Sequence, residues 1–152
     1  MTDTLTVVHT AERRAGAYWI TLRTAGRARL FGVVTDGTVE LSPAGRVVQV
    51  EWLRTAFLRP AVRLDAYVVM PDHFHGILLL DGSDAAGSLH SIVAGFKAGS
   101  ALRINQLRGT PGGVVWQRGC QERRLRSIEL GAAREHIRHN PLRWGAPARM
   151  AR

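Results

Sequence analysis

The stretch that most constrains the fold lies at residues 68–80 and reads VVMPDHFHGILLL. Two apolar runs flank a Met-Pro-Asp turn, which predicts two strands joined by a tight connection. Alternate side chains of a strand point to the same face, so His73 and His75 project together while Phe74 projects toward a core. Two imidazoles on a rigid strand make half of a metal site, and a pair of partly exposed histidines is the alternative.

Length and composition predict one globular domain. The chain has 152 residues, of which 45% are hydrophobic, so it is long enough to bury a core without cross-links. Its single cysteine, Cys120, excludes an internal disulfide and a zinc site built from several cysteines. The amino-terminal residues do not resemble a signal peptide and no apolar run reaches membrane-spanning length. We therefore expect a cytoplasmic, nucleoid-associated bacterial protein with no membrane partner.

The positive charge of the chain is concentrated in its second part. The net charge is +9; residues 1–100 hold ten basic and nine acidic residues, whereas residues 101–152 hold eleven arginines and three glutamates. Such one-sided charge points to a polyanionic partner, with nucleic acid as the first candidate and a solvated face without a partner as the alternative. Guanidinium groups also suit bidentate phosphate contacts and stacking on bases.

Strand signals occur at four places along the chain. Residues 18–24 alternate and are rich in β-formers, and residues 62–70 and 74–80 form the apolar pair around the turn. Residues 114–116 read as a short strand or extended stretch, and the basic run 117–126 continues it as an edge segment.

Turn and cap residues predict the remaining elements. Residues 1–14 read as a loose lead-in, and Asp36-Gly37 between two β-rich runs predicts a hairpin within residues 28–41. Helices are predicted from Ser42-Pro43 to Pro60, from Ser88 to about Arg108, and from Ser127 to Pro141. The side chains expected to face the core are Val47, Val50, Leu53 and Phe57 in the first helix, Leu89, Ile92, Val93 and Phe96 in the second, and Leu130, Ala133 and Ile137 in the third.

The order of these elements predicts an α+β fold of the ferredoxin-like, split βαβ type. Four antiparallel strands form one sheet with two helices on one face. The hairpin is an addition near the amino terminus, and the third helix lies near the open face, close to the histidine pair.

Three stretches together resemble the REP-associated tyrosine transposases, relatives of the single-strand insertion-sequence transposases in the HUH nuclease superfamily. They are VVMPDHFHGILLL, SIVAGFKAGSALRINQLRGTPGGVVWQR and EHIRHNPLRWG, and the likeness extends over about residues 16–145. The resemblance implies a ferredoxin-like fold, a Mg²⁺ or Mn²⁺ site, and recognition of single-stranded or hairpin DNA by a monomer or homodimer. It places His73 and His75 as the metal-binding pair and Asn140 as a third ligand.

The sequence departs from that family at the position of the catalytic tyrosine, which is occupied by His136. Three interpretations stay open. The chain has lost strand cleavage and kept DNA binding; or His136 is a third imidazole on the metal; or His136 is itself the nucleophile. The chain's two tyrosines, Tyr18 and Tyr67, occupy other positions.

Several basic side chains are candidates for phosphate contacts. Extended segments beside a site often follow a nucleic-acid backbone, so the edge segment supplies most of them. The candidates are Lys97, Arg118, Arg123, Arg124 and Arg126. A solvated lysine is the alternative interpretation of Lys97.

Three functions are compatible with these patterns. The first is a transposase-family protein that binds hairpin DNA and nicks and rejoins it with a metal. The second is a catalytically silent module that binds DNA or RNA hairpins. The third is a metal-dependent phosphodiesterase that uses water, with His136 as base or ligand.

Overall fold

The computed structural model describes residues 15–144, so the predicted loose lead-in at residues 1–14 lies outside the described part. Single 3₁₀ turns occur at Ala25–Arg27, Asp84–Ala86 and Ser127–Glu129. The strands and helices in chain order are β1 (Ala15–Arg23), β2 (Gly32–Thr35), β3 (Thr38–Leu41), α1 (Pro43–Leu58), β4 (Val62–Met70), β5 (His73–Asp81), α2 (Leu89–Arg108), β6 (Gln121–Leu125), α3 (Leu130–Arg138) and α4 (Asn140–Arg143).

Four strands form one sheet in the order β4-β5-β1-β6, and every neighbouring pair is antiparallel. This order, with α1 and α2 as the two connections, is the split βαβ arrangement, and it confirms the predicted ferredoxin-like fold. The predicted hairpin is also present as a separate two-stranded sheet, β2–β3. Its turn places Asp36 at φ 51° and Gly37 at φ 74°, the left-handed backbone that a two-residue hairpin turn requires.

The main core lies between the sheet and helices α1 and α2. Tyr18, Leu22, Phe74 and Leu78 point from β1 and β5 to this side and are at most 3% exposed. The predicted orientation of Phe74 is therefore confirmed. All four predicted core residues of α2 join them at 5% exposure or less.

A bulge in β4 decides which of its side chains reach this core. The pairing with β5 shifts between Leu64 and Tyr67. Leu64 and Tyr67 consequently pack on the same side although three positions separate them, while Ala66 and Val68 face the other side.

A second, smaller cluster lies on the opposite face, under α3. Ala133 and Ile137 of α3 pack against Ile77 of β5 and Leu125 of β6, and Leu130 lies at the margin. The predicted inward face of this helix is confirmed, and so is its expected place on the face that α1 and α2 leave open.

The prediction for the buried face of α1 was wrong. Val50, Leu53 and Phe57 are 55%, 52% and 83% exposed, and of the four predicted residues only Val47 packs against the core. The helix is rotated because it buries Trp52, whose indole lies directly over Gly76 of β5. A Cβ at that glycine would come within 2.8 Å of the indole ring, so only glycine leaves room for it.

Two further boundaries differ from prediction. The fourth strand is the basic segment Gln121–Leu125, whereas Trp116 makes only an isolated bridge to Thr24. The last helix ends at Arg138 rather than at Pro141, and Pro141 instead occupies the first turn of α4, where a proline needs no amide hydrogen. Among residues 15–144, no helix is long and apolar enough to cross a membrane.

Candidate metal and nucleic-acid site

The histidine pair lies at the start of β5, on the face of the sheet that carries α3. In the register with β1, His73 is opposite Arg23 and His75 is opposite Thr21. The two imidazole centroids are 4.7 Å apart. Strand alternation thus places both rings on one face, as the His-x-His spacing predicts.

Asp72 fixes the orientation and tautomer of His73. Its Oδ1 lies 2.7 Å from His73 Nδ1, and Oδ2 accepts from the guanidinium of Arg27 at 3.1 and 3.2 Å. An ionised carboxylate only accepts hydrogen bonds, so Nδ1 donates to Asp72 and Nε2 is the nitrogen turned toward the site. That Nε2 lies 3.4 Å from Asn140 Oδ1. An imidazole nitrogen and an amide oxygen this close together can also serve as two ligands of one cation.

Thr21 contacts the other histidine and fixes the orientation of its ring. Thr21 Oγ1 lies 2.9 Å from His75 Nδ1 and accepts a hydrogen bond from the indole Nε1 of Trp19 at 2.8 Å. Burial, followed by the positive fields of His73 and His136, lowers the pKa of His75 to about 3. His75 is therefore neutral at physiological pH, and its Nε2 is the nitrogen left to a ligand.

His136 lies at the edge of this pair. Its ring centroid is 6.1 Å from that of His75 and 5.5 Å from that of Trp19, and its side chain is exposed. Burial and the nearby Arg143 lower its pKa below the ordinary value, and Arg143 also donates to the backbone carbonyl of His136 at 2.8 Å. Within residues 15–144, no three His, Cys, Asp or Glu side chains are grouped to hold a metal ion, which gives no support to a three-histidine centre.

Asn140 reaches the pair because the chain breaks between α3 and α4. The break at His139 turns Asn140 toward His73 while His136 stays beside His75. Just beyond α4, the Trp144 ring stacks at 6.4 Å from His73, and the Arg29 guanidinium lies 5.1 Å from the centre of the same indole.

The five predicted phosphate contacts separate into two groups. Lys97 lies on α2, which packs on the opposite face, and donates to the carbonyls of Gln117 and Gly119 at 3.1 and 2.7 Å. Arg118 is exposed in the loop after Trp116, and Arg124 donates to the carbonyl of Ala15 at 3.0 Å.

Arg123 and Arg126 alone among the five line a groove that also contains His136. Arg123 lies opposite Trp19 in the β1–β6 register, so its side chain is on the histidine face. The structure thus brings these two arginines near the pair and leaves Lys97 and Arg124 on the other face of the sheet.

Sequence reasoning missed the residues that support the pair: Thr21, Arg23, Arg27, Asp72 and Arg143. The alternation of residues 18–24 places Thr21 and Arg23 on one face, but their position opposite the histidines depends on the β1–β5 register. Asp72 adjoins His73 in sequence, and a carboxylate next to a metal-binding histidine was the available signal.

Neither tyrosine of the chain lies at the pair. Tyr18 is 3% exposed within the main core. The hydroxyl of Tyr67 accepts from Gln49 of α1 at 3.0 Å, and its ring stacks on Phe74, on the face opposite the histidines.

Comparison with known proteins gives a sequence relative and several structural neighbours, two of which are described below. No protein-family model matches the chain. An uncharacterised protein of Haemophilus influenzae is 29% identical over 158 positions, which cover 90% of this chain and 86% of that protein. A REP-associated tyrosine transposase bound to a REP hairpin superimposes with a TM-score of 0.65 and 20% identity, over 87% of this chain and 70% of that one.

The fold is that of a REP-associated tyrosine transposase. A candidate transposase of Deinococcus radiodurans R1 also shares this transposase fold, with a TM-score of 0.55 and 17% identity over 81% of this chain and 88% of that one. The histidine pair, Asn140 and His136 are therefore carried by a transposase fold, on the sheet face that α1 and α2 leave free.

Proposed function

We propose that this protein belongs to the REP-associated tyrosine transposase family and binds single-stranded DNA folded into hairpins. The observation that carries the proposal is the convergence of His73, His75 and Asn140 on one face of a transposase fold, beside the guanidinium groups of Arg23 and Arg143. The neighbouring transposase is bound to a REP hairpin, which supports the same class of ligand here.

The residues present fit a divalent cation, Mg²⁺ or Mn²⁺. His73 and His75 each have Nδ1 engaged by a side chain, so each offers Nε2, and Asn140 offers an amide oxygen. When bound, such a cation supplies charge neutralisation at a non-bridging phosphate oxygen. Imidazoles are an unusual shell for a hard cation, so we expect weak binding that a substrate phosphate strengthens.

The chain's own residues would position the DNA strand. Arg23 lies opposite His73 in the strand register, and Arg23 and Arg143 both contribute to the low pKa of His75, so their positive charge near the histidines would attract a phosphate. Asp72 and Thr21 prevent the imidazoles from rotating. Both tyrosines lie away from the histidine pair, so neither phenol is positioned to form a phosphotyrosine link there. We therefore propose hairpin binding without strand transfer.

A second candidate function is hydrolysis of a phosphodiester by water. The observation behind it is the position of His136, whose ring is exposed and lies next to His75. Burial lowers the pKa of His136, which favours the unprotonated imidazole that a general base requires.

The test uses a labelled DNA hairpin with a single-stranded flank, incubated with the protein and Mn²⁺. We expect binding that weakens as salt is added, because phosphate contacts release counterions. Asp81→Asn, on an exposed residue at the far end of β5, is the control for His73→Ala. We expect His73→Ala to abolish the Mn²⁺-dependent part of the binding, and the control to retain it.

Cleavage of the labelled DNA and formation of a covalent adduct distinguish the candidate functions. Binding without cleavage supports the silent module, and cleavage without a covalent adduct, lost in His136→Ala, supports hydrolysis. An adduct that disappears in His136→Ala would contradict both. His136→Tyr restores a phenol at that position, and formation of an adduct only in this variant would show that loss of the tyrosine is what silences the site.

A further inference from the structure

The groove between β6 and α3 is a second feature of the histidine face. Its volume is about 620 Å³, within the roughly 300–1,000 Å³ typical of small-ligand pockets. Trp19, Ile128 and Ala132 give it an apolar floor, and Arg123, Arg126 and Glu129 give it charged walls. We infer that this groove binds one nucleotide of the DNA strand, with the base on the floor and the phosphate on the arginines. The inference rests on the proposed function.

The floor has the properties of a surface that packs against a base. Ile128 is 82% exposed, on a 3₁₀ turn at the margin of the groove. Trp19 is half-buried and forms the inner end. A nucleobase has two apolar faces and gains from contact with aromatic and aliphatic side chains, whatever its hydrogen-bonding edge.

The two arginines share one acidic partner, Glu129. Glu129 Oε2 accepts from Arg123 at 3.1 Å, and its Oε1 lies 3.5 Å from Arg126 Nε and accepts from the Arg126 backbone amide at 2.8 Å. One carboxylate thus organises two guanidinium groups and leaves a net positive charge. Two guanidinium groups brought together around one carboxylate suit a phosphate, because guanidinium groups make paired hydrogen bonds to phosphate oxygens.

The groove is continuous with the metal-binding pair through Trp19. The Trp19 ring lies 4.9 Å from His75 and 5.5 Å from His136, centroid to centroid. A strand whose phosphate lies at the histidines therefore has an adjacent nucleotide at the inner end of the groove. This assigns the groove to a neighbour of the phosphate at the histidine site.

The experiment measures fluorescence anisotropy of a labelled single-stranded flank attached to a hairpin, with an abasic site placed at each flank position in turn. We expect one abasic position to weaken binding by about 5- to 100-fold, the range that stacking of one base covers. Ala132→Phe fills the groove without removing a core side chain. It should weaken binding of the intact strand and remove the penalty at that abasic position. Leu102→Ser, at an exposed residue of α2, is the control.

A second variant covers the case in which Ala132→Phe fails to fold. Arg126→Gln should reduce the slope of log affinity against log salt by about 0.7, the value for one phosphate of a single strand. If no abasic position matters, or if Ala132→Phe folds and binds like the control, the groove assignment is wrong while DNA binding stands. If the unmodified protein does not bind the hairpin at all, the proposed function fails as well.

Discussion

At the scale of single residues, Asp72 is the side chain on which the geometry of His73 depends. It is 7% exposed, and its carbonyl oxygen also accepts from the amide and hydroxyl of Thr24 at 3.0 and 3.1 Å. Its other partner, Arg27, is held at φ 55°, a left-handed backbone that a non-glycine residue adopts at a cost of about 1 kcal/mol. The contact with Asp72 offsets that strain.

Asp72→Ala should weaken Mn²⁺ binding by roughly 10- to 100-fold, the range for loss of a carboxylate behind a metal-binding histidine. Asp72→Asn keeps an acceptor for Nδ1 and should lose less. Isothermal titration of Mn²⁺ into each variant measures the effect. Equal affinity in Asp72→Ala and the unmodified protein would exclude this role.

The low pKa of His75 makes a prediction about stability. Its pKa is about 3 in the fold and about 6.5 in the unfolded chain, so between these values the unfolded chain binds more protons. The free energy of unfolding should therefore fall as the pH falls through this window, by up to about 1.4 kcal/mol per pH unit from this residue. Urea unfolding from pH 7 to pH 5 should show a smaller loss in His75→Gln. If the free energy of unfolding falls equally with pH in the two proteins, the low pKa of His75 is contradicted.

At the scale of elements, α3 is attached to the sheet by few contacts. Its apolar attachment is the small cluster around Ile137, which is 2% exposed. A bidentate pair supplements it, in which Arg134 donates to both oxygens of Asp65 at 2.8 and 2.6 Å, next to the bulge in β4. The position of Asn140 depends on this attachment, because α4 directly follows α3.

Ile137→Ala should lower the free energy of unfolding by about 2–4 kcal/mol, the usual cost of removing a buried branched side chain. Ile128→Ala makes the same chemical change at a residue that is 82% exposed, and it should change the free energy by less than about 0.5 kcal/mol. Chemical denaturation of both variants makes the comparison. A cost for Ile137→Ala as small as that of the control would show that α3 is not held by this cluster.

The elements differ in how well they could be predicted from the sequence. The order of the elements, the Asp36-Gly37 hairpin and the inward face of α3 were predictable, since they follow from local periodicity and turn chemistry. The rotation of α1 was not, because it is set by the fit of Trp52 over Gly76 across the core. The site was predictable at His73 and His75, whereas Thr21 required the strand register.

At the scale of the whole molecule, the two-stranded sheet supports the site from a distance. The hairpin turn packs on α4: a Cβ added at Gly37 would come within 2.5 Å of the Leu142 side chain. The hairpin therefore contacts the short helix whose first residue is Asn140, and it joins the amino-terminal addition to the face that carries the histidine pair.

Gly37→Ala should destabilise the fold by about 1 kcal/mol, because an alanine at φ 74° is strained and also meets Leu142. It should also weaken Mn²⁺ binding although no ligand is changed. Thermal unfolding and Mn²⁺ titration measure the two effects. Gly112→Ala is the control for strain alone, since its φ is 77° and nothing lies within 4 Å of the added Cβ. Loss of metal binding in that control would contradict transmission through α4.

The bulge in β4 has a consequence for changes in chain length. Asp65 and Ala66 together stand where regular pairing with β5 has room for one residue. Removal of Ala66 would leave the pairs on either side of the bulge unchanged, so every remaining side chain would keep its face. The pairing of β5 with β1 is regular throughout. Removal of one residue from β5 would therefore move the remaining side chains of that strand to the opposite face of the sheet. In the gene, loss of the codon for Ala66 should therefore be tolerated far better than loss of a codon within β5, and homologous genes should differ in length at the former place.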